Sequence, residues 1–165
     1  FTLVESAAIV RLALLFGSTW LVNVVVFSSA LLMIFLANLA VLRQRAPSLS
    51  VAWVAVIVGL LVNAALPLST LLALPGWART LVAAALVGVP VFFAAVCFSR
   101  LFARERYTGY ALGINFIGAM AGGGLEYLSM VLGMNGVWLL ALGVYLGAWL
   151  ATRVAARGAH RPTSA

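Results

Sequence analysis

Long apolar runs separated by short polar breaks organise this chain. Residues 1–42 are almost unbroken apolar sequence, too long for one span of about 20 residues. The best break within them is Gly17-Ser18-Thr19, a turn followed by a helix N-cap. Residues 1–16 are therefore expected to be the end of a helix whose beginning is cut off, and residues 20–42 the first complete span. A basic loop follows from Arg43, in which Ser48 or Ser50 is placed to cap the next helix. Residues 51–72 form the second span, kinked or shortened by Pro67. Pro75-Gly76 marks a turn and Trp77 an interfacial anchor. Residues 80–99 form the third span, kinked by Pro90. Residues 109–132 and 137–152 form the fourth and fifth, joined by a tight turn at Met134-Asn135-Gly136. The segment 153–165 is a polar, basic tail expected to fray.

The pattern defines an all-α polytopic membrane protein: a bundle of five full transmembrane helices plus the end of a preceding one. A β-barrel would alternate in polarity along each segment, and these runs are continuously apolar. Composition agrees. Of 165 residues, 65% are apolar and 8% charged, with mean hydropathy +1.19. Soluble domains carry about 25% charged residues.

The net charge of +7 comes from arginine alone. Arg43, Arg45, Arg100, Arg104, Arg106, Arg153, Arg157 and Arg161 fall on one side of the expected topology, and Arg79 lies opposite. By the positive-inside rule the arginine-rich side is cytoplasmic, and with it the C-terminus. These arginines meet anionic headgroups and not nucleic acid, because no basic face with interleaved aromatics stands outside the spans. Cys97 and His160 are each the only residue of their kind, so no intrachain disulfide, thiol pair or metal site can be drawn from them. No cofactor is implied. No signal peptide is visible; Phe1 therefore looks like an internal position of a longer protein.

The fourth span carries unusual chemistry. At about 100° per residue, Asn115, Gly118, Gly122, Glu126 and Ser129 share one stripe, small or polar against an otherwise apolar helix. With Gly113, which forms a second small-xxx-small pattern with Gly109, this stripe is expected to be the main helix-packing seam. Arg11 lies about 8–9 Å below the outer end of its helix and Glu126 about 10 Å below the outer end of its own. Asn23 enters at a similar depth. The expectation is an intramembrane polar clasp of Arg11, Glu126, Asn23 and Ser129, since a charge in hydrocarbon needs a partner or water. The alternative is that Arg11 reaches the outer headgroups and Glu126 is neutral on a local carbonyl. Glu5, deeper in the membrane, and Asn63 are candidates for a ligand or proton site. Interhelical hydrogen bonding is the simpler role for Asn63 and Asn38. One histidine, one cysteine and three acids assemble no catalytic constellation.

Two motifs carry a family resemblance. Phe1-Thr-Leu-Val-Glu5 with Ile9-Val-Arg11-Leu-Ala-Leu-Leu-Phe-Gly17 resembles the Leu-Val-Glu … Ile-x-Arg … Leu-x-Gly helix of multi-spanning bacterial proteins related to spermidine synthase. Asn115-Phe-Ile-Gly118-Ala-Met-Ala-Gly122-Gly-Gly-Leu-Glu126 is similar to their later Asn-x-x-Gly-x-x-x-Gly-Gly helix. The resemblance implies that this is the C-terminal membrane region of a protein with a soluble, Rossmann-like transferase domain, in the bacterial inner membrane. The chain itself departs from that domain: it has no Gly-x-Gly nucleotide loop after a strand and no acidic ribose-binding residue.

The leading functional expectation is a non-catalytic membrane module that anchors or assembles a larger protein or complex. Its partners are then the lipid bilayer and other membrane subunits or an upstream domain. The alternatives are a binding or transport unit, in which Glu5, Arg11 and Glu126 surround a wet cavity, and the membrane region of a spermidine-synthase-like transferase.

Overall fold

The computed structural model describes residues 1–17 and 20–158, apart from six side chains within its helices, and the regular structure of these residues is all helix, without a strand. Seven helices follow in order: α1 (Thr2–Phe16), α2 (Trp20–Leu42), α3 (Leu49–Ala65), α4 (Leu68–Leu72), α5 (Gly76–Phe102), α6 (Thr108–Glu126) and α7 (Ser129–Gly158). Ser18 and Thr19 of the expected first break, and His160 in the tail, lie outside the described residues.

Local chemistry explains where the helices start and stop. Ser48 is the N-cap of α3, and its Oγ accepts from the Val51 amide at 3.4 Å. Pro75 precedes the first turn of α5, where its fixed φ is tolerated. This helix therefore begins at Gly76, before the expected 80. Pro67 does more than kink its helix. The expected span 51–72 is two helices, α3 and α4, with Pro67 between them as the N-cap of α4. Pro90, by contrast, is retained inside α5.

The expected boundary between the last two spans also moves. Helix α6 ends at Glu126, and not at 132. The Gly122-Gly-Gly124 run weakens the helix there. The amides of Tyr127 and Leu128 then turn back to Gly124 and Leu125, closing three-residue turns. The chain resumes as helix at Ser129 and breaks again at Gly133, where φ is 70° and ψ 178°. That left-handed φ is available to glycine at little cost. The break thus falls at Gly133, just before the expected turn at 134–136. Beyond Thr152 the helix does not fray at once but runs to Gly158. Arg153 lies over the Trp149 ring one turn back, 4.2 Å from its centroid.

Side-chain pairings give the helix directions. Met33 meets Gly88 and Asn38 bonds Ser99, so α2 and α5 run parallel. Gly59 meets Pro90 and Asn63 bonds Leu86, so α3 runs antiparallel to α5. The core forms three levels along the bundle. One end holds Ala37, Trp53, Val96 and Cys97, with Trp149 and Leu101 against them. The middle holds Val4, Leu60, Val91 and Trp138. The other end holds Leu12, Leu15, Val26, Leu71 and Val87.

Among the described residues, three helical segments are long and apolar enough to cross a membrane: Val22–Leu42, Gly76–Phe102 and Asn135–Ala155. Leu49–Ala65 is apolar but shorter. Helix α6 buries none of its residues. Its Gly113 and Gly118 face open space, and only Gly122 is approached, by Thr2 of α1. The expected packing seam is therefore largely unfilled by this chain. A tight glycine contact between helices lies elsewhere: a Cβ at Gly59 would come within 2.8 Å of the Pro90 ring.

This contrast is testable. Gly59→Ala should lower stability by about 1–3 kcal/mol, because the proline ring cannot yield. Gly118→Ala should stabilise the isolated chain by up to about 1 kcal/mol through helix propensity. Thermal unfolding in detergent, followed by circular dichroism, checks both. Equal effects would show that the Gly59–Pro90 contact is not specifically tight.

Candidate functional site: a buried arginine on carbonyls freed by proline

Pro67 and Pro90 each remove an amide hydrogen, and each omission leaves a carbonyl without its helical partner. In an α-helix the carbonyl of residue i accepts from the amide of residue i+4. Asn63 stands four residues before Pro67, and Leu86 four before Pro90. Both carbonyls lose their donor. A buried carbonyl left unpaired costs about 1–3 kcal/mol.

The chain meets this need from two other helices. Arg11, on α1, is 5% exposed. Its Nη1 donates to the Asn63 carbonyl at 2.5 Å, and its Nη2 to the Leu66 carbonyl at 2.5 Å. The Leu66 carbonyl is free because the Thr70 amide turns instead to Pro67, at 3.2 Å. Nη1 also lies 3.4 Å from the Asn63 side-chain oxygen. The rigid guanidinium fork thus closes the end of α3, where helix polarity favours a cation.

Asn63, 1% exposed, extends the link. Its Nδ2 donates to the Leu86 carbonyl at 2.7 Å and to the Gly59 carbonyl of its own helix at 2.9 Å. Asn63 therefore has two roles: its backbone carbonyl is satisfied by Arg11, and its side chain satisfies the Leu86 carbonyl inside α5. A continuous polar chain connects α1, α3 and α5 through Arg11, Asn63 and Leu86.

This arrangement corrects the expected clasp. Arg11 and Glu126 do not meet. Arg11 is engaged on the end of α3, whereas Glu126 is exposed at the end of α6, beside a recess with Gly123, Tyr127 and Met130. The physical reason is the break at Pro67, which sets strong acceptors at the depth of Arg11. Asn23 is also exposed. The Ser129 side chain lies outside the described residues. Glu5 is half-buried on α1. Asn115, Gly118 and Gly122 line a groove of about 460 Å³ between α6, the start of α1 and α7. Neither Arg11, Glu5 nor Glu126 lines it. None of the cavities among the described residues is lined by Glu5, Arg11 and Glu126 together.

Chemically, the Arg11–Asn63 site can hold helix ends together; it presents no nucleophile and no base. Among the described residues, no three His, Cys, Asp or Glu side chains are grouped to hold a metal ion. Cys97 is buried in the core. The roles of Pro67 and Pro90 were missed at the level of sequence. The signal was present, as a polar residue four positions before one proline and an arginine with no acid fixed beside it. No family model, curated protein or solved structure matches this chain.

The site makes a specific prediction. Arg11→Ala should destabilise the chain by about 2–5 kcal/mol, because two buried carbonyls lose their donors. Pro67→Ala restores an amide that can serve the Asn63 carbonyl. In that background Arg11→Ala should cost less, with a coupling of about 1–3 kcal/mol in a double-mutant cycle. Strictly additive losses would refute the capping role.

Proposed function

We propose that this chain is a non-catalytic, membrane-embedded helical module that anchors or assembles a larger membrane protein or complex. The observation that carries this reading is the destination of Arg11. The one deeply buried charged side chain among the described residues is engaged by backbone carbonyls of its own fold, where a transport or catalytic group would face a void. The exterior supports membrane embedding. Leu31, Phe35, Trp77 and Met120 are among the large apolar side chains exposed along several helices.

In this reading α2, the α3–α4 pair, α5, α6 and α7 each traverse the bilayer, following α1. The arginine-bearing end lies in the cytoplasm of a bacterial cell. Helix α6 is the assembly face, because its small-residue stripe is largely open and accepts close approach. The resemblance to spermidine-synthase-like proteins adds the reading that the attached unit is a soluble transferase domain. A second reading, a small-molecule-binding unit, is favoured by the groove at Asn115 and Gly118.

In its native membrane the chain should resist alkaline carbonate extraction. In mild detergent it should migrate in an assembly heavier than its own 17.4 kDa. Gly118→Leu combined with Gly122→Leu should reduce that assembly to the mass of one chain while helix content is retained. A wild-type protein that runs as one chain would overturn the assembly reading. Release by carbonate would overturn membrane embedding.

A further inference from the structure

The two ends of the bundle differ sharply in charge, and three separate stretches of chain build the basic one. The loop after α2 brings Arg43 and Arg45. The end of α5 brings Arg100, and the loop after it Arg104 and Arg106. The last turns of α7 bring Arg153 and Arg157. Packing gathers these stretches at one level. Ala46, Leu49, Leu101 and Trp149 all lie against the same core cluster. Arg100 Nη2 donates to the Ala46 carbonyl at 2.8 Å, tying the α5 end to the α2–α3 loop. Glu105 is the one acid in these stretches, and its carboxylate accepts from the amides of Arg106 and Tyr107. Arg43, Arg45, Arg104, Arg106 and Arg153 are exposed.

Apolar surface adjoins this charge directly. Leu42, next to Arg43, is 80% exposed, and Val154, next to Arg153, is 69% exposed. Leu150, Tyr107 and Tyr110 are exposed close by in sequence. A soluble anion would use only the charge. A ligand with an anionic head and an apolar tail uses both surfaces at once. Tyrosine at this level is the usual side chain of the headgroup region.

We infer that the arginine-bearing end of the bundle binds anionic phospholipid headgroups in preference to zwitterionic ones, with the acyl chains against Leu42 and the Leu150–Val154 face of α7. This inference rests on the membrane-embedded reading. The driving force is the attraction of clustered arginines to an anionic leaflet, screened by salt.

The test uses the full chain reconstituted in vesicles of phosphatidylcholine with increasing phosphatidylglycerol. Quenching of tryptophan fluorescence by brominated forms of each lipid gives their relative affinities. Wild type should prefer phosphatidylglycerol by about tenfold at low salt, and the preference should fall in 1 M salt, where the screening length is about 3 Å. Replacing Arg43, Arg45, Arg104 and Arg106 together by Gln should abolish most of the preference with helix content unchanged. Arg79→Gln, at the opposite end, should leave it intact. Inorganic phosphate at millimolar concentration should not compete. Equal quenching by the two lipids, displacement by phosphate, or loss of preference in Arg79→Gln would overturn the inference while leaving membrane embedding standing. Failure to enter phosphatidylcholine vesicles at all would overturn the membrane reading and this inference with it.

Discussion

The guanidinium of Arg11 on the carbonyls of Asn63 and Leu66 is the contact on which the architecture turns. Proline breaks a helix twice over, by withholding a donor and by clashing with the preceding turn. In a soluble protein, water repairs the first fault. In an apolar bundle the repair must come from protein. Here it comes from a side chain on α1, more than 50 positions from the break, and from the Asn63 amide for the second proline. Each repair joins helices that would otherwise meet only through apolar contacts.

These bonds account for the unequal packing of the molecule. Helices α1, α2, α3 and α5 share buried residues across the levels of the core, and α7 joins the middle and basic ends. The Gly59–Pro90 contact lets α3 and α5 approach closely enough for the Asn63 amide to reach Leu86. At the basic end, Asn38 with Ser99 ties α2 to α5, and Arg100 with Ala46 ties α5 to the α2–α3 loop. Helix α6 receives none of these polar ties. It touches α1 at Thr2 and otherwise keeps its glycines open. The polar contacts thus link α1, α2, α3 and α5, whereas α7 is held against them by apolar burial and α6 only loosely.

Much of the helical plan was legible from apolar run length and from turn residues. Ser48, Pro75 and the break before Trp20 mark boundaries because their chemistry is local. The polar site was legible only as a set of residues. Arg11 and Asn63 stand out in any apolar sequence, but their partners are backbone groups, which every residue carries and no sequence pattern marks. Depth alone favoured Glu126, since matching depth says nothing of azimuth. Its helix ends six positions earlier than the apolar run suggests, because three consecutive glycines weaken it. The glycine stripe was visible and its lack of a partner was not. Small residues permit close approach without requiring it.

The order of synthesis gives the Arg11 bond a further meaning. Chains emerge from the ribosome N-terminus first. Arg11 is therefore made before the Pro67 break, and its guanidinium is present when the unpaired carbonyls of α3 appear. Before α1 and α3 dock, each bears an unsolved problem: one an unpaired cation, the other exposed acceptors. Docking removes both at once. A misplaced α1 would therefore leave a cation and its acceptors unpaired together, so the two faults can only be resolved jointly.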